Sequence, residues 1–350
     1  MKKVIFITPN LANGGAERVT AILANELAEQ GMTVEVAFMK DGIRVYQLHK
    51  LVKTYDFYSE GNRVIRIGRK ILRLRKLMKE NANTTFIAML PFETFYTYLA
   101  SWGLPIRIIY SLRNDPASMK GKFWYFIKKR IYPKAYRIVF QTEEAKEYFP
   151  EKVRKKGKVI PNPVSNGLPG RFEGERKKEI VTVGRLKEQK NYPLLLHAFA
   201  EVNQKYPDWR LRIFGEGELE EELKALCLKL KIGEAVEFCG FRKNVIEEIN
   251  RSGIFVLASD YEGISNAMLE AMATGIPCIC TDCPVGGARL TIQDHENGLL
   301  VPVGNRARLV NALIEIIQNP SLAEQLSCKA EEVREYLSAE RIAEEWLRII

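Results

Sequence analysis

Short apolar segments alternate with amphipathic helical patterns along the whole of this 350-residue chain. The alternation begins with VIFIT at 4–8, a helical stretch at 16–30 and TVEVAF at 33–38. Further strand-like segments lie at 85–90, 106–110, 137–141, 158–160, 179–184, 209–215, 235–240, 253–258, 276–280 and 298–302. Strand, helix and strand in repetition predict an α/β fold, with parallel sheets covered by helices on both faces.

The segment PNPVSNGLPGRFEGERKK at 161–178 interrupts this alternation. It has three prolines, three glycines and a charge run without apolar periodicity, which is typical of a linker. We therefore predict one doubly wound domain at 1–165 and a second at 166–335, facing a cleft. Residues 336–350 are predicted to form a C-terminal helix that crosses back to the first domain. Ligands of such sheets bind at the carboxyl ends of the strands.

Charge is divided unevenly between the two halves. The net charge of +10 consists of +16 in residues 1–170 and −6 in residues 171–350. A basic half indicates a polyanionic partner: nucleic acid, an anionic membrane surface or phosphorylated small molecules. The sequence has no run of 18 or more apolar residues, so no segment is predicted to span a membrane. The apolar stretch at the start is too short for a signal peptide. We therefore expect a cytoplasmic protein.

Cysteine usage does not indicate a metal site. All six cysteines lie in the second half, three of them in CICTDC at 278–283. This cluster has no partner pair at zinc spacing, and Cys278 and Cys280 alternate as strand residues do. Buried, reduced thiols are the expected state, and no metal is predicted.

Two glycines follow the first predicted strand, in VIFITPNLANGGAERV. Gly14 and Gly15 stand at the mouth of the first helix, where backbone N–H groups and the helix dipole could cradle an anion. A tight strand-to-helix turn explains the pair equally well. Neither GxGxxG nor GxxxxGK(S/T) is present, so no motif indicates a dinucleotide cofactor or a Walker-type ATPase.

The segment GRLKEQKN at 184–191 directly follows a predicted strand. Arg185 and Lys190 would lie at the carboxyl end of that strand, where they could hold a diphosphate by a guanidinium fork and a point charge. Two solvated loop cations are the simpler interpretation of the segment alone.

The segment SDYEGISNAMLEAMATGIP at 259–277 also follows a strand. Glu262 precedes a helix that Ser265 or Asn266 can cap. A helix N-terminus offers N–H groups to phosphates, and carboxylates accept hydrogen bonds from sugar hydroxyls. A capped helix with two surface carboxylates explains the segment less well, because Glu270 lies among apolar side chains, where an unpaired carboxylate is costly.

The segments GGAERV, GRLKEQKN, EGISNAMLE and TDCPVGGARLTIQDHENGLLVPVGN, in this order, resemble the large retaining glycosyltransferase family 4, whose fold is GT-B. The resemblance covers the second half and the first turn of the N-terminal domain. It implies two Rossmann-like domains and an enzyme that transfers sugar from a nucleotide sugar with retention and without a metal. The sequence has no Asp-x-Asp motif to contradict this.

The resemblance also implies roles for individual residues. Arg185 and Lys190 would neutralise the donor diphosphate, Glu262 would contact the donor sugar, and Glu270 would bind the ribose. The first three are the predicted catalytic residues. The remaining predicted donor-binding residues are Gly14, Gly15, Phe241, Arg242, Gly263, Ile264, Ser265 and Asn266. The base would lie near GFRK at 240–243.

One position departs from the family pattern. The segment SLRNDP at 111–116 stands where many relatives carry a histidine near the reacting sugar. Arg113 is expected to take the place of that histidine, and Arg18 is the other residue expected on the acceptor side.

Two basic clusters lie in the predicted acceptor-binding domain. Residues 62–80 have the pattern of an amphipathic helix with eight cations and one Glu, and residues 120–134 place aromatic rings beside cations. The predicted apolar face of the first cluster is Val64, Ile67, Ile71, Leu74 and Met78. The predicted membrane-facing residues are Arg66, Arg69, Lys70, Arg73, Lys76, Trp124, Lys128 and Lys129. Such clusters suit a lipid headgroup interface, whereas a core helix with a solvated face is the simpler interpretation.

These patterns predict a glycosyltransferase of surface polysaccharide, glycolipid or lipid-linked oligosaccharide synthesis. The expected donor is a UDP-hexose or UDP-N-acetylhexosamine, and no cofactor is expected. The expected acceptor is a lipid-diphosphate-linked saccharide at the inner face of a bacterial cytoplasmic membrane. Another GT-B enzyme, such as an epimerase or a phosphorylase, is an alternative, although no motif for a pyridoxal-linked lysine appears. A nucleic-acid-binding protein is disfavoured, because the second half is acidic and no nucleic-acid module signature appears.

Overall fold

Two parallel sheets organise the chain. A computed structural model describes residues 2–12 and 14–350. Unit 1 comprises Met1–Pro163 and Ala339–Ile350, and unit 2 comprises Val164–Ser338. The chain therefore passes from unit 1 to unit 2 after Pro163 and returns after Ser338.

In the described part of unit 1, seven parallel strands form one sheet in the order β3-β2-β1-β4-β5-β6-β7. The strands are β1 (Lys3–Thr8), β2 (Thr33–Phe38), β3 (Lys53–Asp56), β4 (Thr85–Ala88), β5 (Arg107–Ser111), β6 (Arg137–Phe140) and β7 (Gly157–Val159). The helices are α1 (Gly15–Glu29), α2 (Arg63–Glu80), α3 (Pro91–Ala100), α4 (Lys122–Phe126), α5 (Glu143–Glu147) and α6 (Glu151–Arg154). The strand order reverses between β1 and β4, as in a doubly wound sheet.

Unit 2 contains a six-stranded parallel sheet in the order β10-β9-β8-β11-β12-β13. The strands are β8 (Lys177–Val183), β9 (Arg210–Phe214), β10 (Val236–Gly240), β11 (Ser252–Leu257), β12 (Cys278–Thr281) and β13 (Leu299–Val301). The helices are α7 (Tyr192–Lys205), α8 (Glu220–Lys229), α9 (Val245–Ile249), α10 (Asn266–Ala273), α11 (Arg306–Gln318), α12 (Pro320–Ala330) and α13 (Val333–Tyr336). The order reverses between β8 and β11, and ligands of such sheets bind at this switch point.

The C-terminal helix α14 (Ala339–Leu347) completes the core of unit 1. It packs against α1, and its Trp346 side chain is fully buried. The hydroxyl of Thr85 donates to the carbonyl oxygen of Ile350 at 3.2 Å. The last residues of the chain are therefore part of the packing of the first sheet.

The central strands are buried on both faces. In β1, residues 4–8 are all buried, and every residue of β11 is buried. Parallel strands between two helix layers require this near-continuous apolar sequence. It is the reason that these strands stand out so clearly in the sequence.

Helix α2 covers most of the predicted apolar face, since Leu74 and Met78 are buried and Ile67 and Ile71 are half-buried. Its buried stripe consists of Lys70, Leu74, Leu77 and Met78, at the spacing of one helix face, and the helix packs against α3. The prediction was wrong for Val64, which is 79% exposed. Val64 lies in the first turn of α2, and the first two turns of the helix contain no buried residue.

Glu93, in the first turn of α3, is 2% exposed. Burial raises the pKa of its carboxyl group to about 7. Lys40 and Lys70 face the carboxyl and oppose this shift, whereas the charge of Glu17 adds to it. Burial also lowers the pKa of the Lys70 ammonium, whose Nζ lies 5.9 Å from the ring centroid of Tyr96. Unit 1 therefore holds a carboxyl group that titrates near neutral pH.

We expect Glu93→Gln to remove a pH-dependent loss of stability. Because the folded pKa is raised, the contribution of Glu93 is fully present below about pH 4.5 and is lost as the pH rises to about 7. The unfolding free energy of the wild type, relative to the variant, should fall by roughly 3 kcal/mol over this interval. Urea unfolding between about pH 4 and about pH 8 measures the difference. Glu60→Gln, at an exposed carboxyl, is the control, and parallel pH profiles for wild type and Glu93→Gln would contradict the assignment.

Candidate active site

The loops that follow β8 and β11 form the candidate site of unit 2. These strands are hydrogen-bonded neighbours, with Ile180 beside Ile254 in the register. Because the carboxyl ends of parallel strands lie at one edge of a sheet, residues 184–191 and 258–265 are brought together. The N–H of Asp260 donates to the carbonyl oxygen of Gln189 at 2.9 Å and joins the two loops.

Lys190 and Glu262 form an ion pair in this site. Lys190 Nζ lies 2.6 Å from Glu262 Oε2, and the two side chains are only 16% and 17% exposed. Gln189 Nε2 donates to Glu262 Oε1 at 3.3 Å, and Ser259 Oγ donates to Oε2 at 3.3 Å. Three donors therefore fix one carboxylate, and the two predicted charges lie in contact with each other.

Asn191 links the start of α7 to the second loop. Its backbone is left-handed, with φ of 43°, and its Oδ1 accepts from the N–H of Leu194 at 3.2 Å as a helix cap. Its Nδ2 donates to Asp260 Oδ1 at 2.6 Å. One side chain thus sets both the helix start and the position of the loop that carries Glu262.

The site also contains four polar residues that were not predicted from the sequence: Gln189, Asn191, Ser259 and Asp260. All four lie in the segments GRLKEQKN and SDYEG. The available signal was position, because polar residues that directly follow neighbouring parallel strands lie at one edge of the sheet.

Arg185 is exposed, and its side chain forms no ion pair within the part of the chain that the structure describes. The loop beneath it is tightly packed. A Cβ at Gly215, where φ is +133°, would lie 2.0 Å from the carbonyl oxygen of Gly184. Tyr192 Oη donates to the same oxygen at 2.8 Å. The backbone is held in place while the guanidinium remains available to an anion.

Helix α10 begins beside Glu262. Ser265 is the N-cap, and its Oγ accepts from the N–H of Met268 at 3.4 Å. Gly287 lies against the loop before the cap, where an added Cβ would lie 1.9 Å from the carbonyl oxygen of Gly263. The other two predicted residues of this loop are buried Ile264 and half-buried Asn266. The Gly-Gly pair of the downstream segment therefore permits a close backbone approach.

Glu270 is 3% exposed inside α10. Ser165 Oγ, from the segment between the two sheets, donates to Glu270 Oε1 at 3.3 Å. The sequence predicted that an unpaired carboxylate here would be costly, and a hydroxyl from the linker supplies part of the compensation.

Phe241 and Arg242 directly follow β10. The Phe241 ring is 37% exposed, and its N–H donates to Glu216 Oε1 at 3.4 Å. Arg242 Nε lies 3.5 Å from Glu248 Oε1 in an exposed ion pair. An exposed ring and an exposed cation are therefore adjacent after this strand.

Comparison with known families decides the class of the chain. The family Glycosyltransferase Family 4 matches residues 13–166, and Glycosyl transferases group 1 matches residues 170–333. The chain belongs to glycosyltransferase family 4. Its two doubly wound units are those of the GT-B fold, as predicted.

Relatives of this family 4 glycosyltransferase match over nearly their full length. The chain is 31% identical, over 100% of both chains, to an uncharacterized glycosyltransferase of Haemophilus influenzae. It is 28% identical, over 100% of this chain and 98% of the other, to a Campylobacter jejuni enzyme. That enzyme is named GalNAc-alpha-(1->4)-GalNAc-alpha-(1->3)-diNAcBac-PP-undecaprenol alpha-1,4-N-acetyl-D-galactosaminyltransferase.

Two solved structures share the fold at low sequence identity. Anabaena Alr3699/HepE in complex with UDP-glucose has a TM-score of 0.86 at 16% identity and covers 99% of each chain. Sucrose-phosphate synthase from Thermosynechococcus elongatus also has a TM-score of 0.86, at 18% identity, over 100% of this chain and 98% of that one.

In unit 1 of the glycosyltransferase, the predicted glycine pair stands at the start of α1. Gly14 is the N-cap, with an extended backbone at φ of −92°, and Gly15 opens the helix. The Glu17 carboxylate lies over the pair, since a Cβ at Gly14 would be 2.0 Å from Glu17 Oε2. The guanidinium carbon of Arg18 lies 5.7 Å from the ring centroid of Tyr46. The backbone of the pair is thus adjacent to a carboxylate.

The predicted membrane-facing residues of the glycosyltransferase fall into two groups. The exposed ones are Arg66, Arg69, Arg73, Lys76 and Lys129. The prediction was wrong for Lys70, which is 9% exposed because it lies in the stripe that α2 buries. Lys128 turns inward, and its Nζ donates to the carbonyl oxygen of Pro116 at 2.6 Å. Trp124 is half-buried, with its ring centroid 5.8 Å from that of Phe123.

No three His, Cys, Asp or Glu side chains within residues 2–12 and 14–350 are grouped so that they could hold a metal ion. Five cysteines are buried, and Cys328 is exposed. Burial raises the pKa of the Cys283 thiol to about 11, so it is protonated at neutral pH.

Over residues 2–12 and 14–350, no helix combines the length and the apolar character needed to cross a membrane.

We expect Gly287→Ala to displace the loop that carries Glu262. The new Cβ would overlap the carbonyl oxygen of Gly263, so the backbone must move. Overpacking of this kind costs roughly 1–3 kcal/mol of stability, and transfer should fall at least about tenfold, because misplaced groups lose transition-state contacts. Urea unfolding and a transfer assay measure the two effects. Gly170→Ala is the control, since a Cβ there meets nothing within 4 Å; similar behaviour of the two variants would disprove the steric argument.

Proposed function

We propose that this glycosyltransferase transfers a hexose or N-acetylhexosamine from a UDP-linked donor to a lipid-diphosphate-linked saccharide, with retention and without a metal. The observation that carries the proposal is the Lys190–Glu262 pair beside exposed Arg185, at the carboxyl ends of β8 and β11. The names of its relatives support the choice of substrates: one solved structure holds UDP-glucose, and one Campylobacter relative is named for an undecaprenol-diphosphate-linked saccharide.

Departure of the nucleotide develops negative charge on the diphosphate. In the proposed mechanism Arg185 offers a guanidinium fork and Lys190 a point charge to this group. The helix dipole at the start of α10 adds further positive potential. Preorganised positive charge of this kind can stabilise a leaving group, and it is the part that the chain itself contributes.

Glu262 is proposed to position the donor sugar. Gln189 and Ser259 hold its carboxylate, whose remaining lone pairs can accept hydrogen bonds from sugar hydroxyls. The ammonium of Lys190 has three donors, so it can keep its contact with Glu262 while it binds a phosphate oxygen. In the same proposal Glu270 accepts from the ribose, and the exposed ring of Phe241 contacts the base.

A lipid-linked acceptor would bring unit 1 to an anionic membrane surface at the inner face of the cytoplasmic membrane. On α2, the exposed cations Arg66 and Arg73 accompany Val64 and Leu72, which are also exposed. On α3, exposed Phe92 stacks on the ring of Phe123, with centroids 5.1 Å apart. Cations beside exposed apolar and aromatic side chains match the chemistry of a headgroup region.

We expect UDP-sugars to raise the melting temperature of the protein more than GDP- or ADP-sugars do, because binding to the folded state stabilises it by about 2.7 kcal/mol at 100 times Kd.

Lys190→Ala and Glu262→Ala should each lower transfer by at least about 100-fold, through loss of leaving-group stabilisation and of sugar positioning.

Lys187→Ala is the matched control for these variants, since Lys187 is an exposed cation of the same loop. Full activity of both purified site variants would refute the assignment of the site. Turnover of a UDP-sugar in the absence of any acceptor would favour an epimerase instead.

We expect the protein to float with liposomes that contain anionic lipid and to be released by salt, which screens the attraction. Because each cation near such a surface contributes about 1 kcal/mol, the double variant Arg66→Gln, Arg73→Gln should bind roughly 30-fold more weakly. The control pair is Lys205→Gln, Lys229→Gln, at exposed cations of unit 2. Absence of binding at low salt, or equal loss in both pairs, would exclude this surface.

A further inference from the structure

Arg113 follows β5 in unit 1; its side chain is half-buried, part of its guanidinium is fully buried, and it has no counter-charge among the described residues. Its Nε and Nη2 are shielded from solvent and have no acceptor among the described residues. Its Nη1 donates to Asn162 Oδ1 at 2.7 Å. Burial alone lowers the pKa of this guanidinium, to about 9, so the group is still charged at neutral pH. An uncompensated buried charge is strongly destabilising, and its presence calls for a reason.

Asn162 orients the guanidinium but does not neutralise it. The same Oδ1 accepts from Gln141 Nε2 at 2.8 Å. Gln141 follows β6 and Asn162 follows β7, so three neighbouring strands each bring a polar side chain to the carboxyl edge of the sheet. An amide oxygen shared by two donors fixes the plane of the Arg113 fork, and within residues 2–12 and 14–350 no acceptor occupies the side of the fork formed by Nε and Nη2.

Trp346 adds a further buried donor beside Arg113. The guanidinium carbon lies 5.6 Å from the centroid of the indole ring. The ring is fully buried, and its Nε1–H has no acceptor among the described residues. Guanidinium and indole groups donate and never accept. A buried donor without an acceptor destabilises the fold, and a ligand that brings oxygen atoms and negative charge would remove this cost.

We propose that Arg113, oriented by Asn162, binds a phosphoryl group of a substrate through the paired donors Nε and Nη2. Two parallel N–H groups match two oxygens on one phosphorus atom, which a lysine cannot reproduce. The inference rests on the proposed function, which supplies two substrates with phosphoryl groups: the nucleotide sugar and the lipid-diphosphate-linked acceptor. Arg113 is then a binding residue for one of the two diphosphates.

Inorganic pyrophosphate is the probe. It is titrated by calorimetry into the full chain carrying Arg185→Gln and Lys190→Ala, so that these two cations of unit 2 do not contribute. This double variant is the parent for the comparisons below. Addition of Arg113→Gln should weaken binding at least about tenfold, and Arg113→Lys should do nearly the same, because the charge without the fork is insufficient. Arg107→Gln, at the exposed first residue of β5, should bind like the parent. Equal binding by the parent and Arg113→Gln, or no binding by the parent, overturns the proposal.

A stability measurement separates a ligand site from a structural role. Without ligand, Arg113→Gln should melt at or above the temperature of the parent, because it removes an uncompensated buried charge. With pyrophosphate, the parent should melt higher and the variant should not change. A variant that melts lower than the parent and still responds to pyrophosphate would show that Arg113 only supports the fold, and the proposal would fail.

Competition identifies which substrate supplies the phosphoryl group. If pyrophosphate still binds to the wild type at saturating UDP, the Arg113 site belongs to the acceptor diphosphate; if UDP displaces it, the site belongs to the donor. Either result supports the proposal. Because every readout is binding rather than turnover, failure of the proposed transfer reaction and failure of this site would be separate results.

Discussion

The pairing of β8 with β11 is the constraint on which the site of unit 2 depends. Lys190 and Glu262 are separated by 72 residues in the chain and by 2.6 Å in space. Their proximity follows from the strand order, because the loops after two adjacent parallel strands lie at one edge of the sheet. Asn191 and Asp260 then join the loops directly. The strand order therefore brings the two loops together, and the ion pair between Lys190 and Glu262 depends on it.

Glycine allows these loops to pack as closely as they do. The backbone at Gly215 approaches the carbonyl of Gly184, and the backbone at Gly287 approaches the carbonyl of Gly263; at either place a Cβ would lie within 2.0 Å of an oxygen atom. A residue with a side chain would force each loop away from its neighbour. The Gly-Gly element noticed in the sequence thus has a steric explanation, which holds whether or not its backbone also contacts a ligand.

The sequence predicted the sheets well because parallel strands between helix layers are apolar along their whole length. The VIFIT segment at 4–8 lies within β1, and the family resemblance pointed to both loops of the site. The burial of Lys70 in α2 could not be predicted in this way. Most of the predicted apolar face of the helix is covered, but the helix, which packs against α3, buries this lysine as well. The hydroxyl of Ser165 on Glu270 is a contact across 105 residues that no local pattern encodes.

The cation of the site in unit 2 is paired with a carboxylate, whereas the cation in unit 1 is not, and this difference affects how each unit would bind an anion. In unit 2, Lys190 is already paired with Glu262, so a phosphate must share that cation and gains less from it. In the described part of unit 1, Arg113 has no carboxylate partner, so an anion would gain the full interaction and would also remove the free-energy cost of the unpaired buried donors. The net charge of each half therefore says little about affinity. The affinity for an anion depends on a few individual cations, and on whether each of them is already paired with a carboxylate in the folded protein.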